Sequence, residues 1–146
     1  MKDKALRVMY ATLQDHPGIR QWSGVPFFLT RALEGQGCHI SLAHHLQRPL
    51  LTFNKACNKI FSLTGTKRRM PLERSEKIAR RIARDVAKQV KGDIDVLFAT
   101  SSIPIARLRS PFPKVFYTDC TFIDLLNHYP ELADYPEEWT EEGHAL

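Results

Sequence analysis

The sequence has little from which a disulfide framework or a metal site could be built. Its three cysteines, Cys38, Cys57 and Cys120, are odd in number and far apart, with no C-x-x-C pair and no histidines at ligand spacing. Buried, reduced thiols are the expectation. The adjacent pair His44 and His45 is read on a strand, where neighbouring side chains point to opposite faces, and so makes a poor metal pair. Long apolar runs are also missing: none approaches the roughly 18 residues needed to span a bilayer. The stretch Met1 to Tyr10 carries lysines but too short an apolar core for a secretory signal, so a cytoplasmic chain is expected. Glycine is scarce where a dinucleotide would need it. The loop that follows the first apolar segment holds only Gly18 and Gly24, so the G-x-G-x-x-G fingerprint of NAD and FAD sites is absent. Gly65-Thr66-Lys67 lacks both the earlier glycine and the preceding strand of a P-loop, and no Ser, His and Asp spacing marks a hydrolase. No cofactor is expected.

What is present is enough for one domain. The chain has 146 residues, 43% hydrophobic and 25% charged, which can bury a core. Ala5 to Tyr10 reads as a buried first strand, and a long loop leads to Ser23, which can cap a helix with Pro26 in its first turn and Phe28, Leu29, Ala32 and Leu33 on its apolar face. Gly35 and Gly37 end that helix. His39 to Leu46 suggests a second strand, and Leu50 to Leu63 a further helix before a polar loop from Gly65 to Arg69. From Pro71 to Val90 the residues Ile78, Ile82, Val86 and Val90 recur every four positions, flanked by Ala79, Ala83 and Ala87, the pattern of an amphipathic helix laid on a sheet. Asp95 to Thr100 and Lys114 to Thr118 are short apolar runs typical of parallel strands buried on both faces. A short helix is expected between them at Ile103 to Leu108, and another from Thr121 to Asn127, with Pro130 and Pro136 punctuating an acidic tail.

Strands alternating with helices predict an α/β, Rossmann-like three-layer domain with a mostly parallel sheet, the first strand central and the Asp95 strand beside it. In such sheets ligands bind beyond the carboxyl ends of the strands. That rule selects three loops: Thr12 to Gly24, Ser101 to Pro104, and Asp119 to Phe122. In the first, Trp22, Ser23 and Gly24 stand at the mouth of a helix whose free N–H groups suit an anion such as a diphosphate; the plainer reading makes Ser23 an N-cap and Trp22 a core anchor. In the third, Asp119 places a carboxylate where an acceptor hydroxyl would sit, or serves as an N-cap for the helix near Thr121.

Charge is segregated. Between Lys67 and Lys91 there are ten Lys or Arg against Glu73, Glu76 and Asp85, whereas from Asp119 onward there are eight acidic residues and no Lys or Arg. The basic stretch can attract anionic lipid, phosphate or nucleic acid, although the commonest meaning of such a run is the wet face of a helix.

The strings W-S-G-V-P-F-F-L-T-R-A-L at Trp22 to Leu33 and P-K-V-F-Y-T-D-C-T-F at Pro113 to Phe122, with Y-P-E at Tyr129 to Glu131 and E-G-H-A-L at the terminus, resemble the N-terminal region of family 4 glycosyltransferases of the GT-B fold. The resemblance covers nearly the whole chain. It implies one N-terminal, acceptor-side domain over residues 1–146, facing a donor domain that holds the nucleotide-sugar, with metal-free transfer that retains anomeric configuration. By that likeness Trp22, Ser23 and Gly24 would lie near the donor diphosphate, and Asp119 would occupy the place where many relatives have a histidine or an acidic residue beside the reacting sugar. Acceptor contacts would come from Ser101, Ser102, Thr118 and Thr121, with Lys67 and Arg68 facing an anionic acceptor or a membrane surface to which the protein is peripheral. The family continues into a donor domain with a basic pair and spaced glutamates, which these residues do not include, so the chain alone is expected to have little transferase activity.

Two other classes fit the same residues: a catalytically silent module that binds a nucleotide or glycan in this crevice, and part of a sugar-nucleotide epimerase of the same architecture. Nucleic acid is a weak third, because no recognised motif and no interleaved aromatics accompany the basic run.

Overall fold

The computed structural model describes residues 5–13, 19–20, 22–46, 75–129 and 137–145. Four strands, β1 (Arg7–Ala11), β2 (His39–Ala43), β3 (Val96–Thr100) and β4 (Lys114–Tyr117), form one sheet in the order β2-β1-β3-β4. Every pairing is parallel. Among the described residues four helices accompany them: α1 (Val25–Gly35), α2 (Glu76–Gln89), α3 (Phe122–His128) and α4 (Glu137–His144). The fold is therefore α/β and Rossmann-like, as the alternation predicts, with β1 central and β3 beside it. The chain leaves β1 toward β2 on one side and returns to β3 on the other. That reversal opens a crevice at the carboxyl ends of the central strands.

Register decides which side chains share a face. Met9, Ala11, Ala43, Leu97 and Ala99 fall on one side of the sheet by their pairings, and Ile78, Ile82, Ala83 and Val86 of α2 pack with them in one buried cluster. Full burial of Ile82, Val86 or Leu97 contributes about 2–3 kcal/mol each. The other face carries Val8, Tyr10 and Phe98, with the Tyr10 and Phe98 rings tilted at 5.2 Å. Right-handed crossovers running in opposite directions, β1 to β2 through α1 and β2 to β3 through α2, put the two helices on opposite faces of the sheet.

Helix α2 carries Glu76 in its first turn and Lys88 in its last, matching the helix dipole. Its end is tied to the sheet by an amide clamp: the Gln89 side chain accepts from His44 N–H at 2.8 Å and donates to His44 C=O at 2.9 Å. At the opposite edge, Arg7 grips Asp95 through two guanidinium nitrogens at 3.2 and 3.1 Å, while its backbone N–H donates to the same carboxylate at 2.9 Å. The starts of β1 and β3 are thereby held level.

Several expectations need correction. Strand β2 stops at Ala43, so His44 and His45 follow it and do not alternate along it; their rings lie 6.2 Å apart and His45 has φ 62°. Ile103 to Leu108 is a series of turns, in which Ser102 C=O accepts from Ile105 and Ala106, and no helix propagates. The segment is too short to repay helix nucleation, and its apolar residues are already anchored in the core by Ile103, Ile105 and Leu108. Strand β4 is not buried on both faces: it is the sheet edge, exposed along its length, with Val115 and Phe116 each 50% exposed. Cys38 and Cys120 are half-buried, not buried. The expected helix from Leu50 to Leu63, together with Cys57, Lys67 and Arg68, lies outside the described residues. Among the described residues, no helix is long and apolar enough to cross a membrane.

Candidate functional site

Unusual backbone gathers at the carboxyl edge of the sheet. Trp22, Ser23 and Gly24 form a single 3-10 turn with φ of 43°, 53° and 80°, and Ser101, immediately after β3, has φ 129°. Positive φ at three non-glycine residues costs energy that surrounding packing must offset, and such residues concentrate at functional sites. The turn also corrects the capping expectation. Gly24, not Ser23, is the N-cap of α1, and no side chain caps it. Gly24 is needed for the turn itself: a Cβ there would meet the Phe28 ring at 2.9 Å and the Ile19 carbonyl at 3.1 Å.

The third loop is shaped by α3. Thr121 is the N-cap, its hydroxyl accepting from Asp124 N–H at 3.2 Å, while the Asp124 carboxylate accepts from Thr121 N–H at 3.2 Å. The helix is capped without Asp119, which leaves the capping role proposed for that carboxylate to Thr121. Hydrogen bonds from the Thr121 side chain and then its backbone hold the Asp124 carboxyl below the usual aspartate range. Asp119 is exposed; the Cys120 thiol points a hydrogen at its Oδ1 at 3.5 Å. Thr118 donates from its hydroxyl to the Cys120 carbonyl at 2.6 Å.

These pieces surround an open cavity of about 680 Å³. Trp22 comes to it from the loop after β1, Ser101 from the loop after β3, and Thr118, Asp119 and Cys120 from the loop after β4. Helix α3 supplies the remaining wall with Asp124, Leu125, Asn127, His128 and the following Tyr129. The Trp22 and Tyr117 rings meet at 6.2 Å, bracing the first loop against the end of β4.

Of the residues singled out from sequence, Trp22, Ser101, Thr118 and Asp119 share this one cavity. Ser23, Gly24, Ser102 and Thr121 are not in its lining: Gly24 is buried in the turn, the Ser102 carbonyl closes the next turn, and Thr121 caps α3. The wall from α3 was not anticipated, although Asp124, Leu125 and His128 stand at the spacing that shares a helix face. Also missed was a buried chain of hydroxyls at the carboxyl ends of the two central strands. Tyr10 donates to Thr100 at 3.1 Å, and Thr100 Oγ1 lies 3.4 Å from Thr12 Oγ1. Burial raises the Tyr10 phenol above its ordinary value, and the Thr100 bond offsets part of that.

The basic run on α2 lies on its outer face. Arg80 pairs with Glu76, Arg81 and Lys88 pair with Asp85, and Arg107 reaches Glu76 at 2.7 Å. Burial would raise the Glu76 carboxyl, yet the hydrogen bonds from Arg107 and Arg80 outweigh it and leave the group below the usual glutamate range.

The cavity offers carboxylates, hydroxyls and an amide beside two aromatic rings, the equipment for holding a hydroxylated ligand. No protein-family model, curated protein or solved structure matches the chain.

Proposed function

We propose that this chain is the acceptor-binding lobe of a retaining glycosyltransferase of GT-B architecture, whose second lobe holds the nucleotide-sugar. One observation carries the reading: Trp22, Ser101, Thr118 and Asp119, from three separate loops, line a single cavity at the carboxyl edge of a parallel sheet. The sequence resemblance at Trp22 to Leu33 and Pro113 to Phe122 runs through two of those loops.

Within this reading Asp119 is the reacting-side carboxylate. It orients an acceptor hydroxyl or supports positive charge as it develops on the transferred sugar. Trp22 offers a ring face to the apolar side of a sugar, and Ser101 and Thr118 supply hydroxyl contacts. The donor diphosphate is assigned to the other lobe.

The test is transfer by this domain joined to its donor lobe, screened against a panel of nucleotide-sugars, with the anomeric configuration of the product read by NMR. Asp119→Ala is expected to lower kcat by about 10²-fold or more with little change in the thermal midpoint. A product of inverted configuration, or unchanged rates in the variant, would remove the assignment.

A further inference from the structure

We infer that the cavity selects a donor-rich ligand, an amine-bearing sugar in preference to a neutral one, and turns away phosphorylated or carboxylated sugars; the inference rests on reading the cavity as an acceptor site. The first ground is the balance of hydrogen-bonding groups. Asp119 and Asp124 bring carboxylates that can only accept while ionised, Asp119 the more available of the two because Asp124 Oδ2 already accepts from Thr121. The Thr118 hydroxyl spends its proton on the Cys120 carbonyl, so it too faces a ligand as an acceptor. The Trp22, Ser101, Asn127 and Tyr129 groups of the lining can donate to any sugar, but the carboxylates are satisfied only by hydroxyls and ammonium groups, which donate, and not by phosphate, which accepts.

The second ground is charge. Among the described residues no Lys or Arg lines the cavity, and the imidazole of His128 is the one side chain there able to become cationic. The wall belongs to the segment that begins at Asp119, in which all eight charged Asp, Glu, Lys or Arg residues are acidic. The described basic residues are concentrated instead on α2, already paired in part with Glu76 and Asp85.

The turn into α1 does not reverse this balance. Its N-cap is the buried Gly24, and Pro26, in the first turn, has no N–H to give an anion. The diphosphate site expected around Trp22, Ser23 and Gly24 thus lacks one of its backbone donors, whereas the Trp22 ring that reaches the cavity suits an ammonium group through its negative face.

Binding of glucosamine, glucose and glucose 6-phosphate to the 146-residue chain, followed by NMR through the Trp22 indole resonance, tests this. Glucosamine is expected to bind about five-fold more tightly than glucose at low salt, with the advantage shrinking as salt rises and glucose 6-phosphate weakest. Asp119→Asn, isosteric and at an exposed position, should bring glucosamine and glucose to nearly equal affinity. Glucose 6-phosphate binding as tightly as glucosamine would overturn the inference while leaving an acceptor site in place. Failure of all three sugars to perturb Trp22 would overturn the acceptor reading and this inference with it.

Discussion

The phenol of Tyr10 donates to the hydroxyl of Thr100 at 3.1 Å, joining β1 to β3 one residue before the strained Ser101. Both groups are buried, so the bond takes the place of water at the Tyr10 hydroxyl, while Thr100 is held on its other side by Thr12. It fixes the spacing of the two strands whose following loops build the cavity.

Tyr10→Phe should therefore lower stability by about 1 kcal/mol in chemical denaturation. Alkaline pH gives a second readout. The folded phenol titrates above its ordinary value of 10.0, so the folded state holds its proton longer than the unfolded chain does. Stability from this source is complete below pH 10.0 and is lost as pH rises toward the folded value. The Phe variant should lose that component of the alkaline decline.

Gly24 has φ 80°, and its missing Cβ leaves room for Phe28 and the Ile19 carbonyl. Gly24→Ala should cost about 1–2 kcal/mol from the left-handed backbone alone. The crowding adds to that, and thermal unfolding would show the sum. Gly35→Ala, which meets no atom within contact distance and sits in a helix, should be neutral or mildly stabilising in the same experiment.

Thr121→Ala removes the side-chain half of the α3 capping box, and a loss of about 1 kcal/mol is expected. Because Thr121 holds the Asp124 carboxyl low, the pairing stabilises the fold above the ordinary aspartate range and fades as pH falls below it. The variant's deficit should accordingly shrink in acid, which denaturation midpoints at several pH values would detect.

Helix α4 meets α3 through Gly143, where an added Cβ would overlap the Phe122 ring. Gly143→Ala should cost about 1–3 kcal/mol through overpacking. Phe122→Leu in the same chain should recover part of the loss by vacating the ring's volume, a non-additivity that a double-mutant cycle measures.

Glu76 joins Arg80 of its own helix to Arg107 beyond β3. Glu76→Gln should lower stability by no more than about 1 kcal/mol at neutral pH, since the partners are partly solvated. The folded carboxyl titrates below 4.5, so the wild-type advantage is present above that pH and disappears as pH falls through the folded value. A pH-independent difference would contradict the ion-pair account.

Periodicity alone located the framework. The four-residue recurrence of Ile78, Ile82 and Val86 admits only one apolar helix face, and the runs at Val96 and Lys114 are too short for helices. Burial of β4 was misjudged because apolar composition records what a strand can bury, not whether a neighbour is there to bury it. The capping of α1 was misjudged for a related reason: Ser23 and Gly24 are both acceptable caps, and the choice fell to the left-handed turn that carries Trp22 toward Tyr117.

The linear order of residues was enough to set the α/β class and the central place of β1, and to single out the loops after the strands, because these follow from local pattern and chain handedness. Only the folded molecule decided that Asp124, Leu125, Asn127, His128 and Tyr129 complete the cavity and that Tyr10, Thr100 and Thr12 lie linked at the strand ends. Those groups are brought together by the orientation of α3 and the register of β1 against β3, and contacts between residues some 90 positions apart leave no mark on their immediate neighbours in sequence.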